Sequence, residues 1–228
     1  MLNSIYTDRP ELYWNVRECW LNKRRLDYIS HYLGSRPDGI TILEIGSGVG
    51  GLLMDLAEKF PNRKFLGIEP SGNYCEFADQ IRKDRNLTNI RFLAQSSDNL
   101  DLSGEESRTF DIILTNDVLH HIGDWDKLLK NLRPYVTVKT SWLSIEPNPY
   151  NFYSAYRQST QPGERLFAKS KFLRLVSHSG WKKKSVNYIF LIPPFVKAPS
   201  HWMIELEEKL EGVLFLGGGV CIELARSL

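Results

Sequence analysis

The chain has 228 residues, enough for one domain with a full core. Hydrophobic residues make up 42% and mean hydropathy is −0.31, an ordinary globular balance, and no run approaches the ~20 apolar residues of a membrane-spanning helix. A net charge of +2 is too small to argue for attraction to nucleic acid or a membrane surface, and three cysteines (Cys19, Cys75, Cys221) without C-x-x-C spacing argue against a disulfide framework or a zinc site and for a reducing, cytoplasmic setting.

Residues 1–10 include Asp8 and Arg9 and no apolar core, so no secretory leader is expected there. Residues 11–33 read as helical, with an uneven apolar stripe of Trp14, Trp20, Leu21, Ile29 and Leu33 and a stop at Gly34. The short basic runs Lys23-Arg24-Arg25 and Lys182-Lys183-Lys184 read as solvated faces. From residue 40 onward strands and helices alternate. Strands are expected near 40–45, 64–69, 90–94, 110–115 and 140–146, and helices near 51–60, 72–84, 124–132 and 167–179. Such alternation means parallel strands joined by right-handed crossovers, with helices on both faces. Pro61 and Pro134 stop two of the helices. After Glu146 an aromatic, turn-rich stretch runs to about Gly163, followed by a strand near 186–192, a helix near 200–211 and a final strand near 219–225.

The most informative run is Ile42-Leu43-Glu44-Ile45-Gly46-Ser47-Gly48-Val49-Gly50-Gly51, an apolar strand entering a glycine-rich turn and then a helix. Glycine lets a ligand approach the backbone, and the helix N-terminus presents free amides to it. Two registers fit. Gly46-x-Gly48-x-Gly50 suits S-adenosylmethionine, whereas Gly46-x-Gly48-x-x-Gly51 suits a dinucleotide, which also expects an acid about 20 residues on for the ribose. Glu69, 23 positions after Gly46, serves either cofactor. Glu44 favours the first, because a carboxylate can face a methionine ammonium but repels a pyrophosphate.

The run Leu43 to Gly50, the acid Glu69 and the segment Phe110 to Ile122 together resemble the class I S-adenosylmethionine-dependent methyltransferases. The likeness is greatest to the small-molecule branch with a Leu-His-His signature after strand four, here Leu119-His120-His121, and it covers residues 40 to 146. It implies an α/β fold: a doubly wound, mostly parallel seven-stranded sheet of Rossmann-like methyltransferase type, completed by an antiparallel terminal hairpin. The implied organisation is one domain over 1–228, with an N-terminal helical lid (1–39), a cofactor-binding core (40–146) and a substrate loop with C-terminal hairpin (147–228).

The resemblance also implies roles. Gly46, Ser47 and Gly48 would wrap the methionine and ribose, Glu69 would hold the ribose diol, and Pro70 would flank the adenine. Many members place an acid after strand three; Ser96 stands there instead, with Ser97 offering its amide and Asp98 two residues on. Asn116 would touch the cofactor at the end of strand four. His120 or His121 could remove a proton from an acceptor, and as helical neighbours about 100° apart at most one should face the site. Glu146, Tyr150 and Tyr153, with Phe152 and Tyr156, are candidates for acceptor contact, and Tyr13 and Trp14 for a lid. Asn148-Pro149-Tyr150 is discounted as an N-P-P-Y motif because it lacks the second proline and follows strand five.

The expected reaction is an in-line displacement that moves a methyl group from S-adenosyl-L-methionine to O, N or C of a small molecule, leaving S-adenosyl-L-homocysteine. No metal is expected, since the histidines lack a matching acid at ligand spacing. A nicotinamide-dependent oxidoreductase and a non-catalytic cofactor- or partner-binding module are the alternatives. Neither the acceptor nor the oligomeric state follows from the sequence.

Overall fold

In the computed structural model the described residues are 9–16, 19–105, 109–161 and 163–227. Most of the stretch read for a leader, together with positions 17–18 of the expected first helix and position 162, lies outside them.

Strand β1 (Thr41–Ile45) alternates between two apolar layers, as a pleated strand buried on both sides must. Leu43 and Ile45 enter one layer with Leu66, Ile68, Ile113, Trp142 and Phe172. Ile42 enters the other with Phe65, Ile112, Leu114, Leu53 and Ile29. Strands β2 (Lys64–Glu69), β3 (Ile90–Ala94), β4 (Phe110–Asn116) and β5 (Val136–Pro147) run parallel to β1. Strand β7 (Gly219–Arg226) inserts antiparallel between β5 and the edge strand β6 (Trp181–Ile189). The seven-stranded order is β3-β2-β1-β4-β5-β7-β6, so the chain reverses direction of travel between β1 and β4.

Helices cover both faces. They are α1 (Pro10–Val16), α2 (Trp20–Gly34), α3 (Gly51–Lys59), α4 (Gly72–Asp84), α5 (Trp125–Leu132), α6 (Phe152–Thr160), α7 (Lys169–His178) and α8 (His201–Leu210). Helix α8 is tied across to α2: the buried Glu207 accepts from Arg24 Nε at 2.7 Å and from the Ile192 amide at 2.8 Å, while Arg24 Nη2 donates to Glu211 at 2.7 Å.

Four expectations need correction. The first helix is two, α1 and α2. Strand β5 begins at Val136, before a register break opposite Phe110 and Ile112; its exposed first turn, where Thr140 Oγ1 accepts the Thr137 amide, obscures the alternation. The turn-rich stretch after Glu146 contains helix α6, capped by Asn151, whose side chain accepts the Ser154 amide at 3.0 Å. Strand β6 starts at Trp181 and carries Lys182, Lys183 and Lys184 exposed, as suits a sheet edge.

Trp142 is fully enclosed between the sheet and α7. Its Nε1 donates to Thr115 Oγ1 at 3.0 Å, and its ring meets Phe172 and Trp181 edge-on at 5.6 and 5.4 Å. Trp142→Ala should therefore cost about 3–5 kcal/mol in chemical denaturation, a loss set by cavity formation. A cost under about 1 kcal/mol would show that this layer is not the packed core described.

Candidate functional site

The glycine turn is held at the carboxyl ends of β1 and β2. The amides of Gly46 and Ser47 both donate to Ile68 O, at 2.8 and 3.0 Å. Gly46 and Gly50 have φ of 73° and 75°, and each faces a close neighbour. A Cβ on Gly46 would lie 2.3 Å from Val118 Cγ2, and one on Gly50 2.4 Å from Phe92 Cζ. Glycine is thus required twice over at both positions, by backbone conformation and by space.

Glu69 closes the turn from β2. One of its oxygens accepts the Gly48 amide and the other the Ser71 amide, each at 3.1 Å, which leaves further lone pairs on both. Burial raises its pKa against the opposing pull of those two amides. Glu44 lies one strand away, opposite Gly67 in the register and only 3% exposed. Its Oε2 has no hydrogen-bond partner among the described residues. Burial, with the nearby Glu69 carboxylate adding to it, pushes the Glu44 carboxyl up to about 8.

Further buried polar atoms without partners occur in the neighbouring segments: Ser47 Oγ, Asn116 Oδ1, Asp117 Oδ1 and Arg25 Nε. Asp117 turns the chain out of β4 at φ 52°, with its amide on Ile145 O at 2.9 Å and its carboxylate paired with Arg25 from α2. Arg24 and Arg25 are therefore not the solvated face expected of them. Tyr13 lies over the turn, its Cε1 3.3 Å from where a Gly48 Cβ would sit and its ring 5.8 Å from Tyr74. Nearly half of its surface remains exposed. Trp14 packs edge-on against Phe77 of α4 at 5.8 Å. Pro70 is exposed at the rim, and Ser96 Oγ accepts the Asp98 amide at 3.2 Å, capping the turn that holds Ser97.

The segment after Asp117 is a run of turns rather than a helix. Consequently the rings of His120 and His121 do not diverge; their centroids lie 4.0 Å apart. His120 Nε2 is 3.0 Å from Glu164 Oε2 and His121 Nε2 is 3.9 Å from Glu164 Oε1. Glu164, on the loop after α6, is a site residue that spacing along the sequence could not reveal. It sets a carboxylate beside the imidazoles, contrary to expectation. Glu146 is also reassigned: it has no exposed surface, accepts the Val118 and Leu119 amides at 3.1 and 2.8 Å, and meets His120 Nδ1 at 2.7 Å. It shapes the turn and orients His120, and its burial leaves it no surface for an acceptor. Burial opposes a charge on His120, but the bonds to Glu146 and Glu164 outweigh it and push the ring up to about 10. Burial and the charge on His120 lower His121.

Farther out, Tyr150 lies under the Lys169 ammonium at 5.0 Å and Tyr153 meets Phe195 edge-on at 5.9 Å; both tyrosines are partly exposed. Asn148 is a loop latch, donating to Leu214 O and Gly217 O at 2.7 Å each.

The strand order, with its reversal between β1 and β4, is that of the Rossmann-like methyltransferase fold. Residues 43–138 match the family described as "Methyltransferase domain". Among curated proteins, the chain is 29% identical over 100 residues to (S)-tetrahydroprotoberberine N-methyltransferase of Eschscholzia californica, covering 44% of this chain and 27% of that one. The chain thus spans under a third of the length of such relatives. A SAM-dependent methyltransferase from Aquifex aeolicus superposes with a TM-score of 0.64 at 14% identity, covering 88% of this chain and 89% of that one. Geranyl diphosphate C-methyltransferase from Streptomyces coelicolor, solved with Mg2+, geranyl diphosphate and S-adenosyl-L-homocysteine, gives 0.66 at 13% identity, covering 90% and 81%. Among the described residues no helix is long and apolar enough to cross a membrane.

The buried acid makes a stability prediction. Between its ordinary 4.5 and about 8, the unfolded chain gives up the Glu44 proton while the folded apoprotein keeps it. Stability of the apoprotein must therefore fall as pH rises through that window and level off above it, by up to about 5 kcal/mol from this group. Thermal melts of the wild type and Glu44→Gln should draw apart from pH 5 to pH 8, with the variant gaining. A constant difference across that range would contradict the assignment.

Proposed function

We propose that the chain is an S-adenosylmethionine-dependent methyltransferase that methylates O, N or C of a small molecule. The observation that carries this reading is the uncompensated carboxyl of Glu44, buried beside Glu69 against a turn of close-packed glycines. A buried acid pair of this kind is costly unless a cation completes it. The amino acid end of the cofactor has an ammonium to offer Glu44, and the ribose has hydroxyls to offer Glu69. Gly46, Ser47, Gly48 and Asn116 would line the same group, with Pro70, Ser96 and Ser97 on the adenine side and Tyr13 above.

When bound, the cofactor supplies a methyl group on positively charged sulfur, already activated for displacement. The protein's part is then placement and exclusion of water, and positioning alone can be worth ~7–11 kcal/mol. Tyr13 and the Arg25–Asp117 pair close the hollow from the helical N-terminal segment. The His120–His121–Glu164 cluster would receive the acceptor and the proton it loses, with Tyr150 and Tyr153 bordering its entrance. Two of the curated relatives, (S)-tetrahydroprotoberberine N-methyltransferase and (S)-coclaurine N-methyltransferase, have names that support a small acceptor.

A dinucleotide reading fares worse, because a pyrophosphate would meet two carboxylates with no cation of its own to offer. Calorimetry should find one S-adenosyl-L-homocysteine per chain and no NADH binding. Glu44→Gln and Glu69→Gln should each weaken binding tenfold or more, about 1.4 kcal/mol. Binding of NADH in place of S-adenosyl-L-homocysteine would overturn the proposal, as would affinity indifferent to both substitutions.

A further inference from the structure

The His120–His121–Glu164 cluster contains more ligand chemistry than a single proton transfer needs. Two imidazole nitrogens and a carboxylate oxygen, drawn from two segments far apart in sequence, all lie within 4.8 Å of one another. Ligand atoms about 2.1 Å from a common tetrahedral cation would be about 3.4 Å apart. His120 Nε2 lies 3.0 Å from Glu164 Oε2 and His121 Nε2 3.9 Å from Glu164 Oε1, so each ring already faces one oxygen of that carboxylate at a spacing near this value.

Two features outside the cluster support it. Glu146 touches His120 at Nδ1, not Nε2, so it fixes the ring with Nε2 directed at Glu164. This is the carboxylate–histidine arrangement that orients imidazole ligands of metal ions. Glu146 is fully enclosed and anchored by the Val118 and Leu119 amides, so the orientation is rigid. The loop bearing Glu164 is held as well: Gln158, 5% exposed, donates to Arg165 O at 2.7 Å. Histidine nitrogen with one carboxylate suits zinc, iron, cobalt or nickel rather than magnesium or calcium, which prefer all-oxygen shells.

We propose that His120, His121 and Glu164 bind one divalent first-row transition-metal cation, with Glu146 orienting His120. Three protein ligands leave coordination positions open for water or an oxygen of a small ligand. The site does not depend on the methyltransferase reading, since none of its residues lies in the glycine turn or holds the ribose.

The full chain, stripped of metal by chelator and dialysis, would be titrated with Zn2+ by calorimetry and with Co2+ by visible absorption. One equivalent of each should bind, and Co2+ should develop the intense d–d bands of a low-coordinate nitrogen–oxygen site. His121→Gln and Glu164→Gln, at half-exposed positions, should each weaken Zn2+ at least tenfold with unchanged circular dichroism. Glu146→Gln should weaken it 10–100-fold. Failure to bind one equivalent, or affinity unchanged in both His121→Gln and Glu164→Gln, would overturn the site. S-adenosyl-L-homocysteine binding, measured on the same samples, reads the cofactor hollow separately: its loss with metal binding intact would count against that reading alone.

Discussion

One constraint organises the carboxyl end of the central strands: Glu44 is a carboxyl buried in β1 with an oxygen that nothing among the described residues satisfies. A stability-driven sequence would place an apolar residue there, as it does at Ile42, Leu43 and Ile45 of the same strand. Instead the fold sets a second acid, Glu69, close enough to raise its pKa further. The surrounding residues follow from this. Gly67 has no side chain because a Cβ would lie 2.7 Å from both Ser47 Oγ and Phe92. The glycines at 46 and 50 bring Val118 and Phe92 into contact with the turn. Asp117 and Arg25 pair with each other beside the turn after β4.

The glycine turn and the histidine cluster are built differently. The turn and its two acids draw on strand ends whose residues are near neighbours across parallel strands. The cluster depends on Glu146, which ends β5 and spends its carboxylate on the turn after β4. Through that contact the turn presents both histidines to a loop that follows α6. On the proposed function, a scaffold of fixed strands would carry the cofactor by short-range geometry, and loops, the part of such folds that varies with substrate, would assemble the acceptor side.

Much of the fold was legible in the sequence because its signals are local. Parallel strands buried on both faces read as apolar runs, and Pro61, Gly34 and the glycine turn punctuate them. Glu44 and Glu69 could be paired because each lies at a fixed offset from that turn. The rest escaped for physical reasons. Arg25 was read as part of a basic run, yet its partner Asp117 is reached only by packing α2 across the sheet. Glu164 lies in a stretch whose aromatics and turn residues hid helix α6. The two histidines were placed on a helix, whereas the left-handed Asp117 and the Glu146 anchor fold that segment as turns, and this brings the rings together.

The most direct measurement of the central claim is proton release on ligand binding. Calorimetric titration of S-adenosyl-L-homocysteine at pH 7, repeated in buffers of different ionisation enthalpy, counts the protons exchanged. With the Glu44 carboxyl raised to about 8 in the free protein, an arriving ammonium must ionise it. Close to one proton per bound ligand should leave the wild-type protein, and the release should vanish in Glu44→Gln. Heat independent of buffer, or the same proton count in the variant, would contradict the account.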